Sequence, residues 1–505
     1  MQHRITLNPV GATLEAAHGA ALKDILFEHS VEFPCGGQGR CRGCRVRTIS
    51  GNLEINDAQR ERLTEAELKD GWRLACQCHV EQDTTLELRQ WDAAILTNET
   101  AFSFTPQDGI GVAVDIGTTT VVAQMLDMQT GAVLGVRTGL NPQARFGGDV
   151  MSRVQTAVAE NGAQQLQEVI LRQVGALLHQ LTTSARVAPE SVRRVSLVGN
   201  TVMHHLFCGI DLTPLSAYPF EPVNDGLQTM SAASLGWDSV PDAVIEFLPC
   251  MGGFVGSDIL AGLLATGLHR FERPSLFVDL GTNGEIVVGN RDRILCASTA
   301  AGPAFEGARI SMGMRAASGA IWKVARVGDS EEITCEVLGN AEPTGLCGSG
   351  LVDAVAVALE LKQIKPGGRL IKGDSLPLRD PVEISQTDIR ELQLAKGAIA
   401  AGIKILLKQW GTTSEDLEHI YLAGAFGNYI DRNSARRIGL LEFDPDRVQP
   451  VGNSALLGAK VALFAGEKGS DEQQEILSKS THISLTADPE FQDIYVDCMG
   501  FHQPV

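Results

Sequence analysis

The sequence repeats one pattern, a short turn between two apolar runs, in each of two halves. The first copy, GVAVDIGTTTVVAQMLD, covers residues 111–127, and the second, LFVDLGTNGEIVV, covers residues 276–288. Both runs are rich in β-branched residues, which predicts a tight β-hairpin in each copy. The two copies are in register when Asp115 is aligned with Asp279. This repeat predicts a duplicated domain.

Each hairpin is followed later by a second shared unit, in which an apolar strand ends at a glycine and leads into a helix. This unit is VSLVGNTVMHHLF at residues 195–207 and IYLAGAFGNYID at residues 420–431. The two units come in the same order twice. We therefore predict that residues 111–275 form the first half of the duplicated domain and residues 276–505 the second.

The turn of the first hairpin is suited to phosphate. Gly117 lets the backbone approach a ligand closely, and Thr118, Thr119 and Thr120 offer hydroxyl and amide donors to phosphate oxygens. Asp115, at the strand end, can hold Mg²⁺ through water. A single DxGT pattern is more often a plain strand turn, but the duplicate and the order of the units favour a nucleotide site.

Two halves that each offer an acidic strand end and a glycine-lined turn resemble the nucleotide site of the actin, sugar kinase and Hsp70 superfamily. The resemblance implies a ribonuclease H-like α/β fold that binds ATP and Mg²⁺, with Asp115 and Asp279 in catalytic positions. The LAGAFG stretch would let adenine and ribose lie flat against the backbone. The nucleotide contacts expected from the resemblance are Gly117, Thr118, Thr119, Thr120, Gly281, Thr282, Asn283, Gly424, Ala425, Phe426 and Gly427.

Further loops of the second half add candidates to this site. Glu306, in CASTAAGPAFEGARISMGM, is a candidate for positioning an attacking water, with a surface salt bridge as the plainer alternative. The glycines of TGLCGSG precede a helix, whose exposed amides suit an anion or a partner's backbone. No GxxxxGK[ST] motif and no GxGxxG after a strand occur, which excludes a P-loop and a dinucleotide fingerprint.

A cysteine group lies in the first ninety residues. Cys35, Cys41 and Cys44 have the spacing C-x5-C-x2-C, and Cys76 follows in RLACQCHV. A metal cluster needs thiolates that converge from a loop whose amides can bond the sulfurs, and the glycines of this loop let it wrap closely. The pattern resembles a β-grasp ferredoxin domain, which implies one [2Fe-2S] cluster on these four cysteines.

Two alternatives to this ligand set stay open. A structural zinc site would also use four thiolates, but zinc ribbons favour two CxxC pairs, and only Cys41 and Cys44 form one. Cys78 could replace Cys76, since residues two apart on a strand share a face. The LACQ match to ferredoxins favours Cys76.

Residues 1–90 are thus expected to form a ferredoxin-like domain, and residues 91–110 a linker. The linker has no clear hydrophobic period, so it is either a tether that lets the cluster swing or a connector packed on the next domain. A chain of 505 residues is long enough for two or three domains.

The charge balance limits the partners. The chain has 42 Lys and Arg against 61 Asp and Glu, a net charge of −19, which argues against nucleic acid or an anionic membrane surface. No run of about 18 apolar residues and no signal peptide is found, so a cytoplasmic protein is expected. The 11 cysteines, an odd number, fit a reducing compartment better than a disulfide framework.

The combination of domains resembles the reductive activators of corrinoid-dependent methyltransferase systems over nearly the whole chain. The matching stretches are CGGQGRCRGC with RLACQ, VAVDIGTTT, LVGNTVMHHLFCGID, FVDLGTNGE, AAGPAFEGA, GLCGSG and YLAGAFGN. The resemblance implies ATP-dependent reduction of inactive Co(II) to Co(I) on a separate corrinoid protein, supplied by an unidentified low-potential electron donor. It also allows a homodimer. No Asp-x-His-x-x-Gly cobalamin motif is present, so the corrinoid should belong to the partner.

Two other functions stay open on the sequence. The chain could donate electrons to a different low-potential acceptor in an ATP-dependent way. It could instead be a redox-sensing scaffold in which nucleotide only sets the conformation. Partner-stimulated ATP turnover would distinguish an enzyme from a scaffold.

Overall fold

The structure is a computed structural model that describes residues 2–8, 12–27, 39, 44–88, 102–159, 161–465 and 467–501. Cys35, Cys41 and the predicted linker up to residue 101 lie outside the described residues. Within the described ranges, no helix has both the length and the apolar character needed to cross a membrane.

The N-terminal region forms a mixed five-stranded sheet in the order β2-β1-β5-β3-β4. Its elements are β1 (Gln2–Asn8), β2 (Ala12–Ala17), α1 (Leu22–Phe27), β3 (Arg45–Ser50), α2 (Asp57–Arg62), α3 (Glu65–Lys69), β4 (Trp72–Leu74) and β5 (Thr84–Leu88). The central strands β1 and β5 run parallel. Alternate residues of these strands, such as Ile5, Leu7 and Leu86, pack with Leu22 and Leu26 of α1 in one core. The predicted β-grasp arrangement is confirmed.

The first half of the duplicated domain contains a six-stranded sheet in the order β10-β11-β9-β6-β7-β8. Its elements are β6 (Ile110–Ile116), β7 (Thr120–Asp127), β8 (Val133–Leu140), α4 (Val150–Ala157), α5 (Gly162–Ala185), β9 (Val192–Gly199), α6 (Thr201–Cys208), β10 (Gln228–Ser231), α7 (Ala232–Leu235), β11 (Val244–Phe247) and α8 (Ser257–Thr266). The side chain of Asp149 caps α4, accepting from the amide of Ser152, as an N-cap residue should.

The second half contains a six-stranded sheet in the order β21-β20-β12-β13-β14-β22, with two small sheets beside it. Its strands are β12 (Ser275–Leu280), β13 (Gly284–Gly289), β14 (Ile294–Thr299), β15 (Ala320–Arg326), β16 (Ile333–Val337), β17 (Gly345–Leu346), β18 (Ser375–Arg379), β19 (Val382–Ser385), β20 (Ile420–Ala423), β21 (Val448–Gly452) and β22 (Ser480–His482). Its helices are α9 (Gly348–Glu360), α10 (Gln386–Trp410), α11 (Ala425–Tyr429), α12 (Arg432–Arg437), α13 (Ser454–Ala465), α14 (Glu467–Lys479) and α15 (Phe491–Met499).

The two six-stranded sheets repeat one topology. In the first, β6 pairs antiparallel with β7 and parallel with β9, and β9 pairs parallel with β11. In the second, β12, β13, β20 and β21 repeat these pairings in the same order. Asp115 lies opposite Val198 of β9, and Asp279 lies opposite Ala423 of β20. The predicted duplication is confirmed strand by strand.

Helices α8 and α13, which follow the equivalent strands β11 and β21, pack against each other where the halves meet. A Cβ added at Gly458 would lie 1.9 Å from the carbonyl oxygen of Ala261, so the two backbones are in contact. On α8, a Cβ at Gly262 would lie 2.5 Å from the ring of Phe277. Glycines on α8 and α13 thus allow close helix packing at this junction.

The described end of the predicted linker packs on α13. The rings of Phe102 and Phe104 lie 5.3 and 4.6 Å from the ring of Phe464. Such aromatic contacts hold a segment in place. Residues 102–109 are therefore a packed connector, and the tether hypothesis is limited to residues 91–101, which lie outside the described residues.

Candidate functional site

Each hairpin turn is closed by a backbone hydrogen bond from the glycine that follows the aspartate-bearing strand. In the first half the amide of Gly117 donates to the carbonyl of Thr120 at 3.0 Å, and in the second the amide of Gly281 donates to the carbonyl of Asn283 at 3.1 Å. Each turn closes a hairpin at the end of a strand that carries an aspartate. The two predicted phosphate turns are thus closed by equivalent glycines, but the first turn is one residue longer, since Ile116 pairs with Val121 and Leu280 pairs with Gly284.

A glycine from the following strand–helix unit lies against each hairpin. A Cβ at Gly199 would lie 2.7 Å from the carbonyl oxygen of Ile116, and one at Gly424 would lie 2.7 Å from that of Leu280. Gly424 also lies close to the carboxylate of Asp279, 2.8 Å from the added Cβ, and has a φ of +88°. Any larger residue at Gly424 would collide with the acidic strand end.

Three polar side chains donate hydrogen bonds to the first turn. Asn200, at the N-terminus of α6, donates to the hydroxyl of Thr118 at 2.9 Å. The fully buried Arg153 donates to the carbonyl of Thr118 at 2.5 Å, and Arg315 from the second half donates to the hydroxyl of Thr120 at 3.2 Å. Burial lowers the pKa of Arg153 to about 9. Two cationic groups thus contact the turn that was predicted to bind phosphate.

Glu306 joins the two turns. Its carboxylate accepts a hydrogen bond from the hydroxyl of Thr119 at 3.3 Å and another from the hydroxyl of Thr282 at 2.8 Å. Thr119 belongs to the first half and Thr282 to the second. Glu306 therefore lies in the cleft between the halves, and the alternative of a surface salt bridge does not describe its contacts.

Both predicted acidic residues, Asp115 and Asp279, have raised pKa values. Burial raises the pKa of Asp115 to about 6, partly offset by a hydrogen bond from Asn453 at 3.0 Å. Burial, together with the charge of Asp115, raises the pKa of Asp279 to about 7. Both side chains stay partly accessible from the cleft. Carboxylates that resist ionisation in this way gain most from a nearby cation.

Two further acidic residues belong to this group and were not predicted. Burial and the charges of Asp279 and Asp115 raise the pKa of Asp258, in the first turn of α8. Burial and the charges of Asp258 and Asp279 raise the pKa of Glu285 on β13. Within the described residues no three such side chains are arranged as direct ligands of one ion.

A third repeat in the sequence contains Asp258 in one copy and Asn453 in the other. The stretch GSDILAG at residues 256–262 aligns with GNSALLG at residues 452–458, and both begin a helix at the junction of the halves. This alignment places Ser257 opposite Asn453. The signal was present in the sequence, but it is short and lacks the DxGT residues that define the first repeat.

The described cysteines of the predicted cluster lie at one edge of the N-terminal sheet. Cys44 is buried just before β3, and its carbonyl accepts from the amide of Ala75 at 3.0 Å. Cys76 is half-buried, and its sulfur accepts from the side-chain amide of Gln77 at 3.5 Å. Gly39 of the cysteine loop lies next to Gln77, because a Cβ there would lie 2.9 Å from that side chain. Gly39 thus lies beside the turn that carries Cys76.

Cys78 has a different environment from Cys76. Residues Ala75–Gln77 form a 3-10 turn after β4, so the expectation that Cys76 and Cys78 share a strand face is wrong. The Cys78 thiol donates to the carbonyl of Leu74 at 3.3 Å inside the core, and burial raises its pKa to about 12. A thiol of this kind does not readily become the thiolate that a metal requires.

The N-terminal domain contacts both halves of the duplicated domain. Arg45, the residue after Cys44, donates to the carbonyl of Thr344 in the second half at 2.6 Å. Arg145 of the first half donates to the carbonyl of Asp24 on α1 at 3.1 Å. The segment that carries Arg145 begins at Asn141, whose side-chain amide donates to the carbonyl of Gly117 at 2.9 Å. The segment of the first half that contacts α1 is therefore also hydrogen-bonded to the first turn predicted to bind phosphate.

Three family models match consecutive parts of the chain. A 2Fe-2S iron-sulfur cluster binding domain matches residues 5–81, the RACo middle region matches residues 110–271, and the C-terminal ASKHA domain of RACo matches residues 273–504. ASKHA denotes the actin and sugar kinase type of fold. The matches follow the N-terminal sheet and the two six-stranded sheets in order.

Two relatives are similar over most of their length. The corrinoid activation enzyme RamQ of Eubacterium limosum is 37% identical over 415 residues, which are 76% of this chain and 69% of the relative. The [Co(II) methylated amine-specific corrinoid protein] reductase of Methanosarcina barkeri is 30% identical over 424 residues, 76% of each chain. The chain belongs to the reductive activators of corrinoid proteins.

A solved structure of this family supports the assignment over the whole chain. A reductive activator for corrinoid, iron-sulfur protein matches with a TM-score of 0.71 and 27% identity, covering 99% of this chain and 98% of the other. The predicted pairing of a ferredoxin domain with an ATPase-like domain of the ASKHA type in a reductive activator is thus confirmed.

The cysteine site of this reductive activator fits the cofactor of its ferredoxin domain. Cys44 and Cys76 lie on adjacent segments, Gly39 lies against Gln77, and the Gln77 amide donates to the Cys76 sulfur. Hydrogen bonds to sulfur are what iron-sulfur sites supply around their thiolates. Cys44 and Cys76 are the members of the predicted ligand set that the structure describes.

The histidine pair of this reductive activator is buried and lies within hydrogen-bond distance of backbone carbonyls. His204 and His205 are fully buried on α6. His205 Nδ1 lies 2.9 Å from the carbonyl oxygen of Thr201, and His204 Nε2 lies 3.2 Å from that of Gly226. Burial lowers the pKa of His204 to about 4, which keeps the ring neutral.

Proposed function

We propose that this protein is an ATP-dependent reductase that converts an inactive Co(II) corrinoid protein to the Co(I) state. The observation that carries the proposal is that the domain with the predicted cluster cysteines contacts both halves of the nucleotide-type domain. The segment next to the Cys44 thiol bonds to one half of the nucleotide-type domain, and the other half bonds back to α1. The names of the relatives, an activation enzyme and a Co(II) corrinoid protein reductase, support the same reaction.

The nucleotide part of the proposal assigns roles to the cleft residues. Asp115 and Asp279 would hold Mg²⁺ through its water ligands, and the hydroxyls of Thr118, Thr119, Thr120 and Thr282 would donate to phosphate oxygens. The amides of Gly117, Gly281 and Asn283 line the same turns. The segment from Gly424 to Gly427 would take the adenosine, and Glu306 would orient the water that attacks the terminal phosphate.

The electron part assigns Cys35, Cys41, Cys44 and Cys76 as ligands of one [2Fe-2S] cluster. When bound, such a cluster supplies a one-electron carrier at roughly −400 mV. The donor loses one electron, and the cobalt of the partner gains one and passes from Co(II) to Co(I). Cys44, one of the residues that would hold the cluster, is followed by Arg45, which contacts the nucleotide-type domain at Thr344.

Coupling to ATP would close an energy gap. Each 100 mV of uphill one-electron transfer requires about 2.3 kcal/mol. Nucleotide binding can supply free energy of this size if the two nucleotide states differ in their affinity for the corrinoid protein. ATP hydrolysis to ADP and phosphate would then return the complex to its first state.

The proposal is tested by mixing anaerobically reduced protein with a Co(II) corrinoid protein and ATP with Mg²⁺, and following the Co(I) absorption band. The expected result is Co(I) formation that requires the cluster and is increased by ATP. A parallel sample without ATP and one with oxidised protein serve as controls. Equal Co(I) yield with and without ATP would contradict the proposal, and ATP turnover with no Co(I) would favour a nucleotide-gated scaffold instead.

A further inference from the structure

Glu306 makes contacts that a nucleotide would also make. Its two hydrogen bonds use the hydroxyls of Thr119 and Thr282, which belong to the two turns proposed to bind phosphate. A carboxylate and a phosphate are both anionic oxygen acceptors of the same donors. We infer that Glu306 is an internal competitor of the nucleotide, whose carboxylate has to leave these two hydroxyls before phosphate can bind them. The inference rests on the proposed ATP function.

The Glu306 carboxylate forms a bridge between the two halves, at the same two turns where a phosphate is proposed to bind. Thr119 follows β6 and Thr282 follows β12, so a single carboxylate links the two equivalent turns. A nucleotide that lies between the turns would replace this link by its own oxygens. The competition is therefore local to the cleft and does not require the halves to separate.

The geometry of the loop limits the movement to the side chain. Phe305 is buried, and its ring stacks on the ring of Phe426 at 4.7 Å. The amide of Gly307 donates to the carbonyl of Ala304 at 3.0 Å, which holds the backbone on both sides of Glu306. Because the backbone is anchored, a change of side-chain rotamer is the simplest way for the carboxylate to leave the hydroxyls.

The charges around the bridge favour an anion. Arg315 contacts Thr120, Arg153 contacts the carbonyl of Thr118, and the negative charge of Glu306 acts on the buried Arg153. An anion in this place partly offsets the positive charge of the two guanidinium groups. Removing the carboxylate should leave that positive charge available to phosphate, which strengthens nucleotide binding.

The competitor and the water-positioning roles of Glu306 predict different results. If Glu306 only orients water, its removal lowers turnover and leaves nucleotide affinity unchanged. If it also competes, its removal lowers turnover and raises affinity. The test measures binding of a non-hydrolysable ATP analogue with Mg²⁺ by isothermal titration calorimetry in the wild type, Glu306→Ala and Glu306→Gln.

Glu306→Ala is expected to bind the analogue roughly tenfold more tightly, because hydrogen bonds to a charged acceptor no longer have to be broken. Glu306→Gln, which keeps the side-chain volume and one acceptor oxygen, should fall between the two. The Gln variant also decides the test if circular dichroism shows that the Ala variant is misfolded. The control is Glu383→Gln, because Glu383 accepts from Ser375 on the surface of the second half and should bind as the wild type does.

Unchanged or weaker affinity in the Glu306 variants, with a wild type that binds the analogue, would overturn the inference and leave the proposed function intact. No binding by the wild type would overturn the ATP function itself, and the inference with it. Tighter binding in Glu306→Ala and Glu306→Gln, with no change in the Glu383 control, would support both.

Discussion

The side-chain amide of Asn453 donates a 3.0 Å hydrogen bond to the carboxylate of Asp115, across the junction of the two halves. Asn453 precedes α13 of the second half, whereas Asp115 lies on β6 of the first. In the other direction, the charge of Asp279 of the second half acts on Asp258 of α8 and contributes to its raised pKa. Each acidic strand end thus interacts with the helix start of the other half, so this set of contacts exists only when α8 and α13 are packed together.

The substitutions Asp115→Asn and Asp279→Asn should each lower ATP turnover at least a hundredfold. Losing one carboxylate weakens the positioning of the metal and raises the barrier by several kcal/mol. Steady-state phosphate release measures the effect. Asp242→Asn, an exposed position of the same chain, is the control and should keep full activity. Full turnover in both active-site variants would mean that the cleft has been misinterpreted.

Mg²⁺ binding should strengthen as pH rises from about 5 to 8. The folded pKa values of about 6 for Asp115 and about 7 for Asp279 exceed that of an ordinary Asp, so the folded protein keeps protons that the metal has to displace. In the metal-free protein the same shifts mean that the stability from these groups is present at low pH and lost as pH rises through 6 and 7. Calorimetry in buffers of different ionisation enthalpy counts the released protons. A pH-independent affinity would argue against both groups.

Cys76→Ala should abolish the [2Fe-2S] visible and EPR spectra, whereas Cys78→Ala should keep them. The Cys76 sulfur is half-buried and accepts a hydrogen bond, but Cys78 is a core thiol whose pKa is raised to about 12. Anaerobically purified wild type should contain two irons and two sulfides per chain. An unchanged spectrum in Cys76→Ala, or tightly bound zinc in place of iron, would refute the ligand set.

The two activities should separate in variants because their residues lie in different domains. Asp279→Asn should keep a normal cluster that dithionite reduces, yet fail to yield Co(I) on the partner when ATP is present. Cys41→Ala should keep ATP binding and lose electron delivery. Co(I) absorbance and nucleotide titration measure the two properties on the same samples. Equal Co(I) yield from wild type and Asp279→Asn at matched donor potential would make the ATPase irrelevant to electron transfer.

Arg45→Ala should loosen the N-terminal domain from the second half. It removes the charge-assisted bond to the Thr344 carbonyl, and such bonds contribute about 1.5–3 kcal/mol. Hydrogen exchange at β17 and α1 should therefore rise about tenfold or more. Arg47→Ala is the matched control, since Arg47 lies on the same strand but bonds to Asp70 within its own domain. Similar exchange in both variants would show that Arg45 does not hold the contact.

The sequence predicted the parts of this fold that repeat over many residues. Both hairpins, with Asp115 and Asp279 at their strand ends, could be located because three apolar strands and a DxGT turn recur in the same order in each half. Asp258 and Asn453 could not be predicted, because each is a single polar residue at a helix start. The similarity of the stretches that contain them becomes clear only once α8 and α13 are known to be equivalent.

Contacts between segments that are far apart in the sequence could also not be predicted. Arg45 and Thr344 are separated by 299 residues, and no local pattern relates them. The Cys78 environment was mistaken for a different reason. Spacing alone does not distinguish a strand from the 3-10 turn at Ala75–Gln77, and that turn reverses which side chains share a face.

The two-point attachment of the ferredoxin domain has a consequence for protein engineering. Because Arg45 is bonded to one half and α1 to the other, a replacement ferredoxin needs more than a linker of suitable length. A chimera would have to carry an arginine directly after its third cysteine and offer a free helix carbonyl at the place of Asp24. Donor domains can therefore be screened by sequence for the first requirement and by structure for the second, before any gene is made.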